Sequence, residues 1–288
     1  MTTQDQPLIV REHYMLIGTY QPFNPGSTGQ IIAFGQQAGF TPRITSYYTT
    51  AFTQPFATQF ANEMAEQGTM VLVQWQPRGT TNAAIAAGQE DTAIIAAAEA
   101  IGSVNSQVIV SYGQEMNGNW YPWADVAPNT AAEYIAAYQH IWTIFQKQNV
   151  HNVTWLWGPN ISYSGSAPLK EWYPGDQYVD WVGMDGYFGY ATDTFESVFG
   201  PTIAEIRAFT YKPMIISETG VTGASGPTQI ASIFQGAALN GFVAIVYFDE
   251  TQSGDAMHQD WRLENNAANM AAFAYQLQFY AQRPLIIS

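Results

Sequence analysis

Val108-Ile109-Val110-Ser111-Tyr112-Gly113-Gln114-Glu115-Met116-Asn117-Gly118-Asn119-Trp120-Tyr121-Pro122-Trp123 is the stretch on which the fold turns. Its first five residues are short, mostly apolar and not alternating, as in a strand buried on both faces. An acid follows the strand, then a Gly/Asn turn, then three aromatic residues. That order describes a parallel strand running into a loop that carries functional groups.

Similar runs recur along the chain. They are Met15–Tyr20, Arg43–Tyr48, Met70–Trp75, Val108–Tyr112, Val153–Trp157, Val179–Met184, Met214–Ser217 and Phe242–Phe248. Between them lie segments with helical spacing: Thr53–Gln67, Asn82–Ser103, Asn129–Gln148, Asp193–Phe209, Pro227–Leu239 and Glu264–Gln282. Asn129-Thr130 with Glu133 resembles a capping arrangement, and Gly39 and Gly241 stand where helices should stop. Eight strands alternating with helices predict an α/β fold, a single (β/α)8 TIM barrel spanning residues 1–288. An open doubly wound sheet is the rival. The first strand, however, leads into Gln21-Pro22-Phe23-Asn24-Pro25-Gly26 and not into a glycine-rich phosphate turn. The Pro/Gly/Ser-rich pieces 160–175 and 220–227 follow strands, where a barrel builds its functional face.

Composition removes several classes of function. The 288 residues carry nine Lys+Arg against 23 Asp+Glu, a net charge of −14, which repels nucleic acid and leaves a neutral polymer unopposed. The absence of cysteine excludes disulfides, thiolate catalysis and Cys-ligated zinc. No apolar run approaches the roughly 18 residues of a membrane span. The N-terminal residues carry no leader pattern, so either no signal peptide exists or one has been removed. His13, His140, His151 and His258 lack metal-ligand spacing, and no P-loop, nucleophile elbow or dinucleotide fingerprint occurs. No cofactor and no metal are expected.

A second strand, Met214-Ile215-Ile216-Ser217, also ends in an acid, Glu218, at a loop containing Gly220. One such glutamate is weak evidence, because a turn cap or an ion pair explains it equally well. Two of them, on the fourth and seventh strands of one barrel, provide the pair that glycosidic cleavage by two carboxylates requires. Apolar rings beside Glu115 would desolvate it and raise its pKa, as a general acid needs.

These segments resemble glycoside hydrolase family 26, in the clan of retaining (β/α)8 hydrolases. The likeness runs from Gln114–Trp123 through 73–77, 155–160 and 173–187 to Ile216–Gly220 and Asp260-Trp261-Arg262, in order along nearly the whole chain. It implies Glu115 as acid/base and Glu218 as nucleophile. It also implies Tyr187 as a hydrogen-bond donor to the nucleophile, and Trp120 and Trp75 as rings lining sugar subsites. Gln114, Asn117, Trp123, Tyr247 and Trp261 complete the expected substrate contacts. Two departures stand out: Gln114 where many members have His, and Tyr247 near the end of strand eight where many have Trp.

The family implies an endo-acting enzyme on a neutral polysaccharide. β-Mannan comes first, with mixed-linkage β-1,3-1,4-glucan and β-1,3-xylan as alternatives. A non-catalytic carbohydrate-binding barrel is the reading from another class, and the presence of both glutamates weighs against it. An extracellular monomer is expected. Duller roles are available for several residues. Trp155 and Trp157 share a strand face, Asn117 and Asn160 could simply tie turns, Asp185 could be a hydrogen-bonded structural acid, and Arg262 could pair with a nearby carboxylate.

Overall fold

A computed structural model describes residues 14–22, 25, 27–50, 52–223, 225–251 and 259–281. His13, His258 and the last residue of the expected segment Glu264–Gln282 lie outside them.

Eight parallel strands close on themselves in sequence order, β1 pairing with β8. They are β1 (Leu16–Tyr20), β2 (Ile44–Thr50), β3 (Met70–Gln76), β4 (Val108–Tyr112), β5 (Val153–Trp157), β6 (Trp181–Val182), β7 (Met214–Thr219) and β8 (Phe242–Phe248). Each falls on an apolar run singled out in the sequence. The helices are α1 (Thr28–Ala38), α2 (Thr58–Glu66), α3 (Asn82–Ala86), α4 (Asp91–Gly102), α5 (Ala131–Lys147), α6 (Phe195–Arg207), α7 (Gly226–Leu239) and α8 (Ala267–Tyr280).

Two differences from expectation have local causes. The segment Asn82–Ser103 is two helices, because Gly88 adopts φ 80° and breaks the helical path between them. Helix α1 carries few large apolar residues in its first turns and was not among the expected segments, although Gly39 does stop it at φ 76°. The capping box anticipated before α5 is present, with Thr130 as the cap and Glu133 answering it.

Strand alternation sorts side chains into two cores. Leu16, Ile44, Leu72, Ile109, Leu156, Trp181, Ile215, Ala244 and Val246 fill the barrel interior. Ile17, Val71, Val73, Trp75, Val110, Tyr112, Ile216, Ile245 and Tyr247 face outward into the helical layer. Along the inward parity the residues turn polar toward the C-terminal ends: Ser46 and Tyr48 on β2, Gln74 and Gln76 on β3, Ser111 on β4 and Ser217 on β7. The sequence therefore seals the barrel floor with hydrocarbon and lines its mouth with hydrogen-bonding groups.

The contact between β1 and β2 is close enough to require glycine. A Cβ on Gly18 would lie 2.5 Å from the backbone oxygen of Ile44 and 2.7 Å from its Cβ. Gly18→Ala is expected to lower unfolding stability by about 1–3 kcal/mol through overpacking, read from the urea midpoint; an unchanged midpoint would refute this account of the β1–β2 seam.

Candidate active site

The two glutamates reach the barrel mouth by different backbone devices. After β4, Gly113 and Glu115 both take positive φ, 56° and 55°. A non-glycine residue in this region is held there by its surroundings. Here the Glu115 N–H donates to Gly158 O at 2.7 Å, and its carbonyl accepts from Gly118 N–H at 3.0 Å. On β7 the pairing register with β8 shifts between Ile216 and Thr219, a bulge that re-aims Glu218. Its carbonyl accepts from Gly186 N–H at 3.0 Å.

Both carboxyl groups are buried, and their partners differ. Among the described residues Glu115 Oε2 accepts one hydrogen bond, from Trp120 Nε1 at 2.7 Å. Glu218 accepts from the Tyr48 hydroxyl and from Gln74 Nε2 at 3.3 Å on Oε1, and from the Tyr187 hydroxyl at 2.8 Å on Oε2. Burial drives the pKa of Glu115 from 4.5 up to about 8, the charge of Glu218 adds to the rise, and the Trp120 bond opposes it. Burial also raises Glu218, but both phenols stabilise its ionised form and hold it back. Glu218 therefore ionises first, and its charge keeps the proton on Glu115.

A third acid lies beneath the pair. Asp185 is fully buried, and the Ser217 hydroxyl donates to its Oδ1 at 2.5 Å. Burial and the two glutamates push its pKa far up. Its other oxygen, Oδ2, is buried and has no hydrogen-bond partner among the described residues.

Of the other expected contacts, the structure brings Trp120 and Tyr187 to the carboxylates and leaves Trp120 47% exposed. Gln114 is buried directly before Glu115, and neither its amide nitrogen nor its amide oxygen has a protein hydrogen-bond partner. Five residues are placed differently from the expectation. Trp75 points outward from β3 and packs edge-on against Phe145 of α5, with ring centroids 6.0 Å apart. Tyr247 also points outward, packing on Phe273 of α8 and donating to Trp261 O. Trp123 is buried, stacks on Tyr121 and donates to Gln114 O, so it braces the loop. Asn117 is consumed by Asn160, donating to its carbonyl and accepting from its N–H, both at 2.9 Å. Trp261 is buried against Tyr187 at 4.7 Å and supports that ring from behind. Arg262 forms a two-pronged pair with Asp260, both bonds at 2.8 Å.

Sequence reasoning missed Tyr48, Gln74, Tyr20 and Phe248. Phe248 stacks on Tyr20 at 4.7 Å and meets Tyr187 edge-on, giving β8 an aromatic at the mouth one residue beyond Tyr247. Strand parity was the available signal, since the inward set on β2 and β3 includes Tyr48 and Gln74.

With this geometry in view, the likeness to known proteins is specific. The family model for Glycosyl hydrolase family 26 matches residues 92–214, which include Glu115 and end before Glu218. That match covers less than half of the chain. It is 28% identical over 229 residues to endoglucanase H of Acetivibrio thermocellus, covering 74% of this chain and 25% of that protein. A mannan endo-1,4-beta-mannosidase of Bacillus subtilis is 27% identical over 124 residues, covering 41% of this chain and 32% of that protein. The aligned segment thus spans a third or less of either relative. Among solved structures, the Bacillus subtilis mannanase BCman superposes with a TM-score of 0.68 at 17% identity, covering 96% of this chain and 89% of that one. A modular endo-beta-1,4-mannanase from Cellulomonas fimi gives 0.67 at 17% identity, covering 91% and 70%. These two likenesses establish the barrel fold.

The asymmetry of the pair has a measurable consequence. Glu115 has a raised folded-state pKa, so its contribution to stability is full below 4.5 and is lost as pH rises through about 8. Glu115→Gln cannot ionise and should lose less stability than the parent between pH 6 and about 9. Parallel denaturation curves for the two proteins across that range would refute the raised pKa. Trp120→Phe removes the one donor that favours ionised Glu115 and should move its titration to higher pH, followed by carboxyl infrared difference spectra.

Proposed function

We propose that the protein is a retaining, endo-acting β-glycanase in which Glu218 is the nucleophile and Glu115 the acid/base. The observation that carries the assignment is the unequal hydrogen bonding of two buried carboxylates. Two environments that push paired acids apart define which one donates and which one attacks.

In the first step Glu115 delivers its proton to the glycosidic oxygen while a Glu218 oxygen bonds to the anomeric carbon. The leaving sugar departs with the proton, and a glycosyl ester remains on Glu218. As negative charge leaves Glu218, the field that raised Glu115 weakens, so Glu115 becomes more acidic at the stage when it must accept a proton from water. Water then attacks the ester carbon, and Glu218 leaves as a carboxylate with its phenol partners in place. Throughout, Tyr48 and Tyr187 keep the nucleophile oriented and ionised.

β-Mannan is the first substrate proposed, supported by the mannosidase relatives. Mixed-linkage β-glucan is the second reading. The relative aligned over the larger share of the chain is an endoglucanase, and the buried amide of Gln114 is free to meet a sugar hydroxyl of either configuration. Action on such a polymer fits an extracellular, monomeric enzyme.

Incubation with galactomannan, glucomannan and barley β-glucan in parallel, with products followed by proton NMR, tests both parts. Oligosaccharides released first as the β-anomer are expected. Release from none of the three would overturn the function, and an initial α-anomer would overturn retention. Glu115→Ala should lower turnover on polysaccharide by about 10²–10⁴-fold. Added azide should restore activity on aryl glycosides with good leaving groups, giving a β-glycosyl azide. Glu218→Ala should be inactive on both kinds of substrate while still binding oligosaccharide; retained turnover would remove Glu218 as nucleophile.

A further inference from the structure

The barrel mouth divides into two sectors. Glu218 and the groups packed about it, Tyr187, Phe248, Tyr20, Tyr48 and Gln74, come from β6 round through β8 to β3. Glu115 and Trp120 come from the loop after β4, and the loop after β5 beside it brings Tyr163. The Trp120 and Tyr163 rings lie 5.8 Å apart at an interplanar angle of 31°. They are 47% and 39% exposed, unlike the buried rings Trp75, Trp123, Tyr247 and Trp261. Burial and the charges of Asp125 and Glu115 raise the Tyr163 phenol.

The loop carrying Tyr163 is anchored at several points. Ser162 N–H donates to Thr202 Oγ1 at 2.8 Å, and its hydroxyl donates to Glu205 Oε2 at 2.6 Å. Leu169 N–H donates to Glu205 Oε1 at 2.7 Å. The reciprocal Asn117–Asn160 pair and the Ala167 N–H bond to Asn117 O tie this loop to the turn that bears Glu115. An exposed ring on so restrained a backbone keeps its geometry without a ligand, and a pre-ordered platform binds without further ordering cost.

We propose that Tyr163, exposed beside the Trp120 ring, carries the second sugar beyond the cleaved bond in the leaving-group part of the glycan chain. The proposal rests on the glycanase reading, which assigns the proton donor to this sector. Glu115 protonates the oxygen that stays with the leaving sugar, so the rings beside it, on the loops after β4 and β5, face that portion. Sugar C–H faces pack on aromatic rings, and each ring takes one pyranose. Tyr163 thereby sets which bond of a short oligosaccharide is cut, and it holds an acceptor sugar against the glycosyl ester.

The test uses a β-1,4-linked pentasaccharide marked with ¹⁸O at its reducing end, with products read by mass spectrometry. In Tyr163→Ala, cleavage that leaves two sugars on the reducing side should fall about three- to tenfold relative to cleavage that leaves one. Transfer to added disaccharide should fall in parallel. Hydrolysis of an aryl glycoside, whose leaving group ends before Tyr163, should stay within about twofold of the parent. Tyr163→Phe should retain the parental pattern, and Tyr163→Leu, which keeps apolar bulk in case the alanine variant is unstable, should behave like alanine. An unchanged ratio in the alanine or leucine variant of an active parent would overturn the platform alone. A parent inactive on every β-glycan would overturn the functional reading and the platform with it.

Discussion

Two carboxyl groups buried in one cleft cannot both be ionised cheaply, and the rest of this molecule is arranged around that constraint. Glu115 and Glu218 share a mouth that also contains the fully buried Asp185. Desolvation raises all three, the charge of Glu218 adds to the rise of Glu115, and both glutamates add to that of Asp185. The chain has nine basic residues in total, and none forms an ion pair with these acids among the described residues. Neutral donors decide the outcome instead. Two phenols and an amide favour the charged form of Glu218, a serine hydroxyl meets Asp185, and a single indole meets Glu115. The negative charge therefore resides where the donors are, and the proton resides where they are few.

Keeping phenols neutral is part of the same arrangement. Tyr48 and Tyr187 are raised by burial and by the charge of Glu218, so they remain donors at neutral pH. A histidine at Gln114 would have brought a titrating group next to Glu115. Glutamine cannot titrate, so the proton affinity of Glu115 follows the charge of Glu218.

Much of this was legible before the structure. Strand positions were readable because a strand covered on both faces must be apolar throughout, and the runs 108–112, 153–157 and 242–248 coincide with β4, β5 and β8. Glu115 and Glu218 were readable because acids are rare at the end of such runs. The break at Gly88 was harder to see, since a glycine within an alanine-rich stretch costs a helix only about 1 kcal/mol and need not end it.

Face assignment at the mouth failed at Trp75 and Tyr247, and the reason is general to barrels. Both are large aromatics close to the end of a strand, yet each has the outward parity and is held by a helix. Their neighbours Gln74 and Phe248 have the inward parity and take the positions expected of them. A shift of one residue exchanges the faces of a whole strand, so aromatic content and proximity to a catalytic acid are poor guides when the inward set has not been counted from the floor. On β3 the count is available in the sequence: Leu72 is inward, and therefore Gln74 is inward and Trp75 is not. On β7 the count fails, because the bulge between Ile216 and Thr219 interrupts the alternation at Glu218. Glu218 reaches the cleft through that irregularity, and this explains why its place at the mouth was legible from the acid at the strand end and not from the register of the strand that carries it.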